Sequence, residues 1–384
     1  MKEQYKIIIA GDLLPSANNL KHFESGNVES LFDEKLLALF RDADFSLVNL
    51  EGPLTNATIK QNKVGPLLKT STKTANGIKT LGVKCVALAN NHFTDYLQQG
   101  CEETLKTLDE VGIDYLGGGL NKKNIKNYIS IELGNTRVCI YNVSERFFNI
   151  ADDNHAGVNV YDEYLVCNEI KELKSRHDYL IVVYHGGAEL CSYPAPSTRL
   201  RFRRMADSGA DFITAQHTHR IGCEEHYHNS LLLYGQGNFF MEHMTHPDSR
   251  QGLVTQVVFN EDNVVVKHHL VRISSGRLVY DEQQDFEKFD RRTDEIKDEL
   301  VAIKRYEEFV RNNNDLKNKY FQAYKGGFWG KKVLERLSRR FLLQYIENSY
   351  SEQQLSRILF SLESDRMRED IGCLWRQLKK RKYE

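Results

Sequence analysis

Residues 5–12 read YKIIIAGD, a run of mostly β-branched apolar residues that stops at a glycine and an aspartate. Such a run is typical of a buried strand that ends in a loop. Residues 44–51, DFSLVNLE, repeat the arrangement and again place a carboxylate directly after the apolar run. We therefore expect buried strands whose carboxyl ends carry polar side chains.

The same arrangement recurs along the chain, with helical patterns between the strands. Four further strands are predicted, at residues 83–89, 180–184, 211–215 and 231–234. Apolar residues at helical spacing predict helices over residues 31–41, 97–111 and 199–208. Strands that alternate with helices indicate an α/β layered fold, and such folds place their ligands at the carboxyl ends of the strands.

Two more strands and a change in amino-acid composition define the predicted domains. Alternating patterns over residues 254–259 and 264–273 predict strands that close the sheet on one side. From about residue 285 the sequence becomes charged, helical in pattern and free of proline. We therefore predict an α/β domain over residues 1–280 and a helical C-terminal appendage over residues 281–384.

The composition restricts the class of protein. The chain has 384 residues, of which 41% are hydrophobic, so it can bury a sizeable core. Its formal net charge of -1 gives no support to nucleic-acid binding. The 7 cysteines are scattered without a CxxC pair, so reduced thiols are expected. Neither a signal-peptide pattern nor an apolar run of ~18 residues is present, so a cytoplasmic location is predicted.

The polar residues at the strand ends have the chemistry of a metal site. The candidates are Asp12, Glu51, Asn91, His92, His185, His217 and His219. Carboxylate, imidazole and amide donors together suit Zn²⁺, Mn²⁺ or Fe²⁺ better than an all-oxygen site for Mg²⁺ or Ca²⁺. Read singly, Asp12 is a turn residue and His92 a structural hydrogen-bond partner. Read together, the set predicts one or two divalent transition metals.

Ordered motifs connect this sequence to a known family. They are Gly11-Asp12, Asn49-Leu50-Glu51, Asn90-Asn91-His92 with Asp95, His185-Gly186-Gly187 with Glu189, Gln216-His217-Thr218-His219 and Gly235-Gln236-Gly237-Asn238-Phe239. In this order they resemble the bacterial poly-γ-glutamate capsule synthesis (CapA) family, a branch of the calcineurin-like metallophosphoesterases. The resemblance covers about residues 5–275. It implies a layered β-sandwich flanked by helices, with a metal site at the carboxyl edge of the sheet.

The resemblance also implies how the candidate ligands divide between two metals. Asp12 and His219 would serve the first metal. His185 and His217 would complete the second metal. Glu51 stands at the position of the bridging carboxylate, where most relatives have an aspartate.

Two further roles and two departures follow from the same resemblance. Asn91 would be a ligand, and His92 would lie near the substrate as a proton donor. Leu14 stands where the superfamily usually has a histidine, so the first metal would lack one imidazole and the number of metals stays open. Gly186 stands where a His-Trp-Gly motif would place an aromatic residue.

Neighbouring residues are assigned to substrate binding or to support of the ligands. They are Asn90, Asp95, Glu189 and Asn238. Read alone, Asp95 is the N-cap of the following helix. Glu189 is either a partner of His185 or a plain loop carboxylate. Asn90 is either a turn residue or part of the site, and Asn238 is expected to shape a tight loop beneath it.

Two functions stay open at this point. The first is metal-dependent hydrolysis of the phosphoester type, linked to the biosynthesis of a capsule or another anionic polymer. The alternative is a non-hydrolytic accessory factor that binds polymer or its precursor through the same site. In both, the partner is an anionic small molecule or polymer and not a nucleic acid. A structural protein with an inactive site is disfavoured because the ligand set is intact.

Residues 320–346 combine aromatic residues with an amphipathic, strongly basic helical pattern. Such a helix can dock its apolar face on the catalytic domain. It can equally lie on an anionic membrane surface, which would give the protein a peripheral membrane contact. The sequence leaves both this choice and the oligomeric state open.

Overall fold

The computed structural model describes residues 4–63, 65–147, 149–241, 244–313 and 351–364, and scattered positions between 367 and 377. Contacts divide the chain into two compact units, one of Met1–Gln61 with Leu67–Ile303 and one of Asn62–Pro66 with Lys304–Glu384. The predicted basic helix over residues 320–346 lies outside the described residues. The division into domains 1–280 and 281–384 stays a prediction.

Within the described residues, every strand and helix predicted from the sequence is present, with bounds shifted by a few residues. The strands are β1 (Tyr5–Leu13), β2 (Phe45–Leu50), β3 (Cys85–Ala87), β4 (Asp114–Leu116), β5 (Gly118–Gly119), β6 (Tyr128–Leu133), β7 (Thr136–Ser144), β8 (Gly157–Val158), β9 (Tyr179–His185), β10 (Phe212–Gln216), β11 (Glu224–Tyr227), β12 (Ser230–Leu233), β13 (Asn238–Phe240), β14 (Gln251–Phe259), β15 (Val264–Ser274) and β16 (Arg277–Tyr280). The α-helices are α1 (Leu20–Ser25), α2 (Glu34–Arg41), α3 (Ala75–Thr80), α4 (Leu97–Val111), α5 (Glu163–Lys174), α6 (Pro196–Asp207), α7 (Glu287–Glu295), α8 (Glu299–Asn312) and α9 (Glu352–Glu363).

Two sheets carry the parallel strands. The first has the order β16-β15-β14-β1-β2-β3-β4, and β13 pairs with the end of β1. Strands β1 to β4 are parallel, and β14 and β15 extend one side in antiparallel fashion, as predicted. The second sheet has the order β11-β12-β10-β9-β7-β6, in which β7, β9, β10 and β12 are parallel. The short strands β5 and β8 pair separately.

The two sheets pack face to face, and helices cover both outer faces. In β1, Ile7 and Ile9 join the core between the sheets, whereas Ile8 and Ala10 join the core beneath α2, α3 and α4. All four side chains are fully buried. A strand that is covered on both faces has a continuous apolar sequence, which is why this run predicts a buried strand. On the far side, α5 and α6 pack on the second sheet. The α/β fold, a layered β-sandwich flanked by helices, is therefore confirmed.

The first unit continues past residue 280. Phe289, in α7, belongs to the core between the two sheets. Ile296 and Ala302 belong to the core that α5 and α6 form on the second sheet. The chain up to Ile303 thus contributes to the packing of the same unit.

Gly11, in β1, permits the backbone of Gly237 to approach closely. A Cβ atom on Gly11 would lie 2.1 Å from the carbonyl oxygen of Gly237, so only a glycine fits. We expect Gly11→Ala to lower the free energy of unfolding by about 3 kcal/mol, because β1 and the Gly237 loop must separate. Denaturant unfolding of the purified variant measures this loss.

Gly82→Ala is the matched control for this prediction. Gly82 has a φ of +91°, but the nearest atom to an added Cβ is 3.6 Å away. This variant therefore carries backbone strain without crowding, which costs about 1–2 kcal/mol. A loss for Gly11→Ala that is no greater than the loss for Gly82→Ala would contradict the crowding argument.

Candidate metal centre

Two groups of ligand-type side chains meet where the parallel strands of both sheets end. Asp12 lies near the end of β1, Glu51 follows β2, and His185 is the last residue of β9. His217 and His219 follow β10. The donor atoms of Glu51, His185 and His217 lie within 4.8 Å of one another, and this group is called the His185 cluster. The donor atoms of Asp12, Glu51 and His219 do so as well and form the His219 cluster.

The chemistry of these two clusters fits divalent transition metals. Each combines carboxylate oxygen with imidazole nitrogen, the donor mixture that Zn²⁺, Mn²⁺ and Fe²⁺ accept. Asp12, Glu51 and His185 are fully buried, and buried carboxylates need a positive partner to be stable. The carboxylate of Glu51 belongs to both clusters. The described residues therefore offer two adjoining candidate sites that share one ligand.

Asn49, in β2, fixes both carboxylates. Its Nδ2 donates to Asp12 Oδ1 at 2.8 Å and also to Glu51 Oε2. Asn90 Nδ2 donates to Asn49 Oδ1 at 3.0 Å, which holds the amide in this orientation. Asn90 is thus part of the site and supports it through Asn49. Asn49 opens the Asn49-Leu50-Glu51 motif of the sequence, but the motif by itself indicated no role for it, because an amide one step before the strand end looks like any other strand residue.

Asn91 adds a fourth potential metal-binding atom, its side-chain oxygen, to the His185 cluster. Asn91 Oδ1 lies 2.8 Å from His185 Nε2, and Glu51 Oε1 lies 3.6 Å from the same nitrogen. The rings of His185 and His217 are 4.9 Å apart between centroids. Burial, and then the proximity of His217, lower the pKa of His185 well below its ordinary value. His185 is therefore a neutral imidazole, which is the form that binds metals.

The His219 cluster holds an imidazole between two acceptors. His219 Nδ1 lies 3.3 Å from Asp12 Oδ2 and 2.9 Å from Asn238 Oδ1. Burial alone would lower the pKa of His219, but the hydrogen bond and the charge of Asp12 raise it to about 9. Burial is the largest single influence on Asp12 and would raise its pKa, but the hydrogen bond with His219, the charges of His185 and His219 and the hydrogen bond from Asn49 together lower that pKa. A proton on His219 thus balances the carboxylate charge at this place.

His92 points one ring nitrogen at the centre and the other at a carboxylate. Its Nε2 lies 3.9 Å from Glu51 Oε1, and its Nδ1 lies 2.6 Å from Asp95 Oδ2. Asp95 Oδ2 also accepts a hydrogen bond from the backbone N–H of Leu68 at 2.7 Å. The interpretation of Asp95 as a helix N-cap was wrong, because α4 begins after Tyr96 and has no side-chain cap. Asp95 instead orients the His92 ring.

Glu189 and Asn238 both lie at the site. Glu189 Oε1 is 3.8 Å from His217 Nε2, so this carboxylate lies beside the His185 cluster. Its neighbour is His217, whereas the sequence suggested His185 as its partner. Its side chain is 49% exposed, in contrast to the buried ligand candidates. Asn238 donates from Nδ2 to the backbone oxygen of Ser249 at 2.7 Å while its Oδ1 faces His219. Asn238 therefore connects the tight loop to a candidate ligand.

The backbone of the His217–His219 segment is in an unusual conformation. His217 has a φ of 87° and His219 a φ of 53°, both in the left-handed region that residues with a Cβ rarely adopt. The backbone N–H of His217 donates to Asp12 Oδ2 at 3.2 Å, which helps to hold this turn. Strain of this kind persists where the surrounding structure enforces it, most often at functional sites.

Glu145 is a further buried carboxylate beside the site that the sequence did not indicate. It follows β7, and the β6–β7 hairpin was itself not predicted. Its Oε2 accepts a hydrogen bond from the backbone N–H of Gly187 at 3.0 Å. An alternating pattern over residues 128–144 was the available signal for the strands, but nothing local marks the carboxylate that follows.

Among the described helices, none combines the length and the apolar character that crossing a membrane requires.

Of solved structures, the chain is similar to a putative 5'-nucleotidase from Staphylococcus aureus in complex with alpha-ketoglutarate, with a TM-score of 0.44 and 13% sequence identity. That similarity covers 79% of this chain and 58% of the other.

Two curated relatives carry names that refer to PGA biosynthesis and to capsule biosynthesis. The chain is 28% identical over 273 residues to the PGA biosynthesis protein CapA of Bacillus subtilis (strain 168), which covers 70% of this chain and 68% of the relative. It is 28% identical over 209 residues to the capsule biosynthesis protein CapA of Bacillus anthracis, which covers 53% of this chain and 48% of the relative. The chain therefore spans about half the length of the second relative.

The family comparison covers most of the first unit. The family described as "Bacterial capsule synthesis protein PGA_cap" matches residues 6–243. This range includes β2, β9, β10 and all of β1 except Tyr5, and with them every residue of the His185 and His219 clusters. More than half of the chain lies within the match, so the chain belongs to the bacterial capsule synthesis protein PGA_cap family.

Proposed function

We propose that this protein is a metal-dependent hydrolase of the phosphoester type that acts in the biosynthesis of a capsule or another anionic polymer. The observation that supports this most is the position of Glu51, whose carboxylate belongs to two adjoining donor clusters. A shared carboxylate with ligands from several strands is what a two-metal hydrolase requires. Membership of a capsule synthesis family supports the biological setting.

The chain's own residues would hold the metals in place. Glu51, His185, His217 and Asn91 would bind one ion, and Asp12, Glu51 and His219 would bind the other. Bound divalent metals would supply Lewis acid chemistry, which polarises phosphoryl oxygens and makes water a stronger nucleophile at neutral pH. Mn²⁺, Fe²⁺ and Zn²⁺ all suit these donors.

His92 would act on the leaving group. Its Nε2 faces the centre at 3.9 Å from Glu51 Oε1, while Asp95 holds Nδ1 at 2.6 Å. A carboxylate on Nδ1 fixes the ring and stabilises its protonated form, as in other histidine–carboxylate pairs. His92 can then donate a proton from Nε2 to the departing oxygen. Asn49 and Asn90 keep both carboxylates in position and contact no leaving group in this scheme.

One observation favours a second candidate function, a non-hydrolytic accessory factor that binds an anionic polymer at the same centre. Leu14 is buried where the superfamily usually has a histidine, so the His219 cluster has three donors and the His185 cluster, with Asn91, has four. The ion at the His219 cluster, with three protein ligands, would therefore bind more weakly than the ion at the His185 cluster. Turnover of an aryl phosphate by the metal-loaded protein supports hydrolysis, and its absence with metal bound supports the accessory role.

The difference between the clusters leads to a prediction about metal content. His217→Ala removes a ligand from the His185 cluster alone, and His219→Ala removes one from the His219 cluster alone. We expect His217→Ala to abolish the tighter binding step and His219→Ala to abolish the weaker one. Elemental analysis after exhaustive dialysis, followed by titration with Mn²⁺ and Zn²⁺, measures both steps.

His268→Ala is the control for these titrations. His268 is also a partly buried imidazole, but it contacts Thr255 and Glu224 on the strands away from the centre. It should leave both binding steps unchanged. Wild-type stoichiometry in His217→Ala would show that His217 is not a ligand, and absence of metal in the wild-type protein would overturn the proposed function.

A further inference from the structure

Glu145 binds the backbone on both sides of Gly186, directly after His185. The backbone N–H of Glu145 donates to the carbonyl oxygen of His185 at 2.9 Å. Its side-chain Oε2 accepts from the backbone N–H of Gly187 at 3.0 Å. One residue therefore fixes the two consecutive peptide units that follow His185. The Glu145 side chain is 2% exposed, so water does not compete for these bonds.

Arg201, on α6, holds the Glu145 carboxylate from the other side. Its Nη1 donates to Glu145 Oε1 at 3.4 Å and to the hydroxyl oxygen of Tyr184 at 3.0 Å. The guanidinium carbon also lies 5.4 Å from the ring centre of Tyr161. The carboxylate is thus held by a guanidinium on one oxygen and by the Gly187 N–H on the other.

Gly186 makes room for this arrangement. A Cβ atom at residue 186 would lie 2.8 Å from Glu145 Cβ and 2.9 Å from Glu145 Oε2. Both distances are shorter than a Cβ atom tolerates. The small residue at 186 and the carboxylate at 145 are thus sterically matched in this chain.

We propose that Glu145 is a positioning residue that presets the His185–Gly187 segment, so that His185 is already aligned for metal before an ion arrives. The inference rests on the proposed function, because it assigns Glu145 a role at the His185 cluster. Partners that orient metal ligands change metal affinity by about 10–100-fold when they are removed. Glu145 does so through hydrogen bonds to the backbone that directly follows the ligand and not through the imidazole itself.

The test compares metal affinity in three variants of the full chain. Glu145→Ala removes the acceptor for the Gly187 N–H and should weaken the first Zn²⁺ or Mn²⁺ binding step by about 10–100-fold. Glu145→Gln keeps an oxygen that can accept from Gly187, so it should recover most of that affinity. Each dissociation constant is measured by calorimetric titration at a temperature below the melting transition of that variant.

Glu225→Ala is the matched control. Glu225 is a second carboxylate with arginine partners from α6, since it accepts from Arg199 Nε at 2.9 Å and Arg203 Nη2 at 2.7 Å, and its side chain is 11% exposed. It lies on β11 and contacts no residue of either cluster in the described bonds. The Glu225→Ala variant should lower the melting temperature as much as Glu145→Ala does, and its metal affinity should be unchanged.

The outcomes separate this inference from the proposed function. A wild-type protein that binds no metal overturns both. Metal binding by wild type, with an unchanged constant in Glu145→Ala, overturns the positioning role alone. Equal weakening in Glu145→Ala and Glu225→Ala would mean that general loss of stability is responsible, which also overturns it. If Glu145→Ala does not fold, Glu145→Gln carries the test, and an affinity as tight as wild type, or at most a few-fold weaker, is then required.

Discussion

Replacing Glu51 with Gln is expected to remove both metals from the protein. Gln has nearly the same shape as Glu, and its amide oxygen can still accept the hydrogen bond from Asn49 Nδ2 that Glu51 Oε2 receives. The substitution nevertheless removes the negative charge from both clusters at once, because Glu51 belongs to each. We expect each metal dissociation constant to rise by more than about 100-fold, beyond the range for residues that only orient a ligand.

Calorimetric titration with Mn²⁺ and Zn²⁺, together with elemental analysis, measures this effect. Glu169→Gln serves as the control, because Glu169 is a partly buried carboxylate on α5 that accepts hydrogen bonds from Asn127 and Tyr141. It should bind metal as the wild type does. Retention of both ions by Glu51→Gln would refute the shared-ligand assignment, and loss of only one ion would place Glu51 in a single cluster.

His92→Gln is expected to keep the metals and to lose most of the turnover. The imidazole is replaced by an amide that cannot transfer a proton, so general acid assistance to the leaving oxygen disappears. Such assistance is worth roughly 10²–10⁴-fold in rate. The metal-loaded variant should therefore hydrolyse phenyl phosphate at least about 100-fold more slowly than the wild-type protein, with unchanged metal content.

A pair of substrates makes this prediction sharper. The nitrophenolate leaving group of 4-nitrophenyl phosphate needs little protonation, whereas the more basic phenolate of phenyl phosphate needs it strongly. The loss in His92→Gln should thus be clearly smaller for 4-nitrophenyl phosphate. Asp95→Asn, which changes only the partner of Nδ1, should show the same ranking with a smaller loss. Equal losses for both substrates would argue against proton donation, and a loss of metal would make His92 a ligand.

Several features of the candidate site could be predicted from the sequence because they depend on local pattern. A continuous apolar run indicates a buried strand, and the carboxyl ends of parallel strands meet at one edge of a sheet. Asp12 and Glu51 were found in this way in one sheet, and His185 and His217 in the other. Their roles as ligands remain proposals, but the structure does bring these four side chains together.

Other features could not be predicted because they depend on which segments meet. Asp95 has the sequence position of a helix cap, yet it bonds His92 and the distant Leu68 N–H. Glu145 gives no local signal, since its importance comes from the pairing of β7 with β9 that sets it beside His185. The Asp95–Leu68 and Glu145–Gly187 hydrogen bonds join residues 27 and 42 positions apart in the chain.

The sequence by itself determined the α/β fold, the strand ends and the kinds of donor atoms available, because residue type and hydrophobic period are local properties of the chain. Only the tertiary structure decided that the carboxylate of Glu51, from one sheet, lies 3.6 Å from His185 Nε2, from the other. That distance is set by how the two sheets pack face to face. Neither the packing of one sheet against another nor the sharing of a carboxylate between two clusters is encoded in any single stretch of residues.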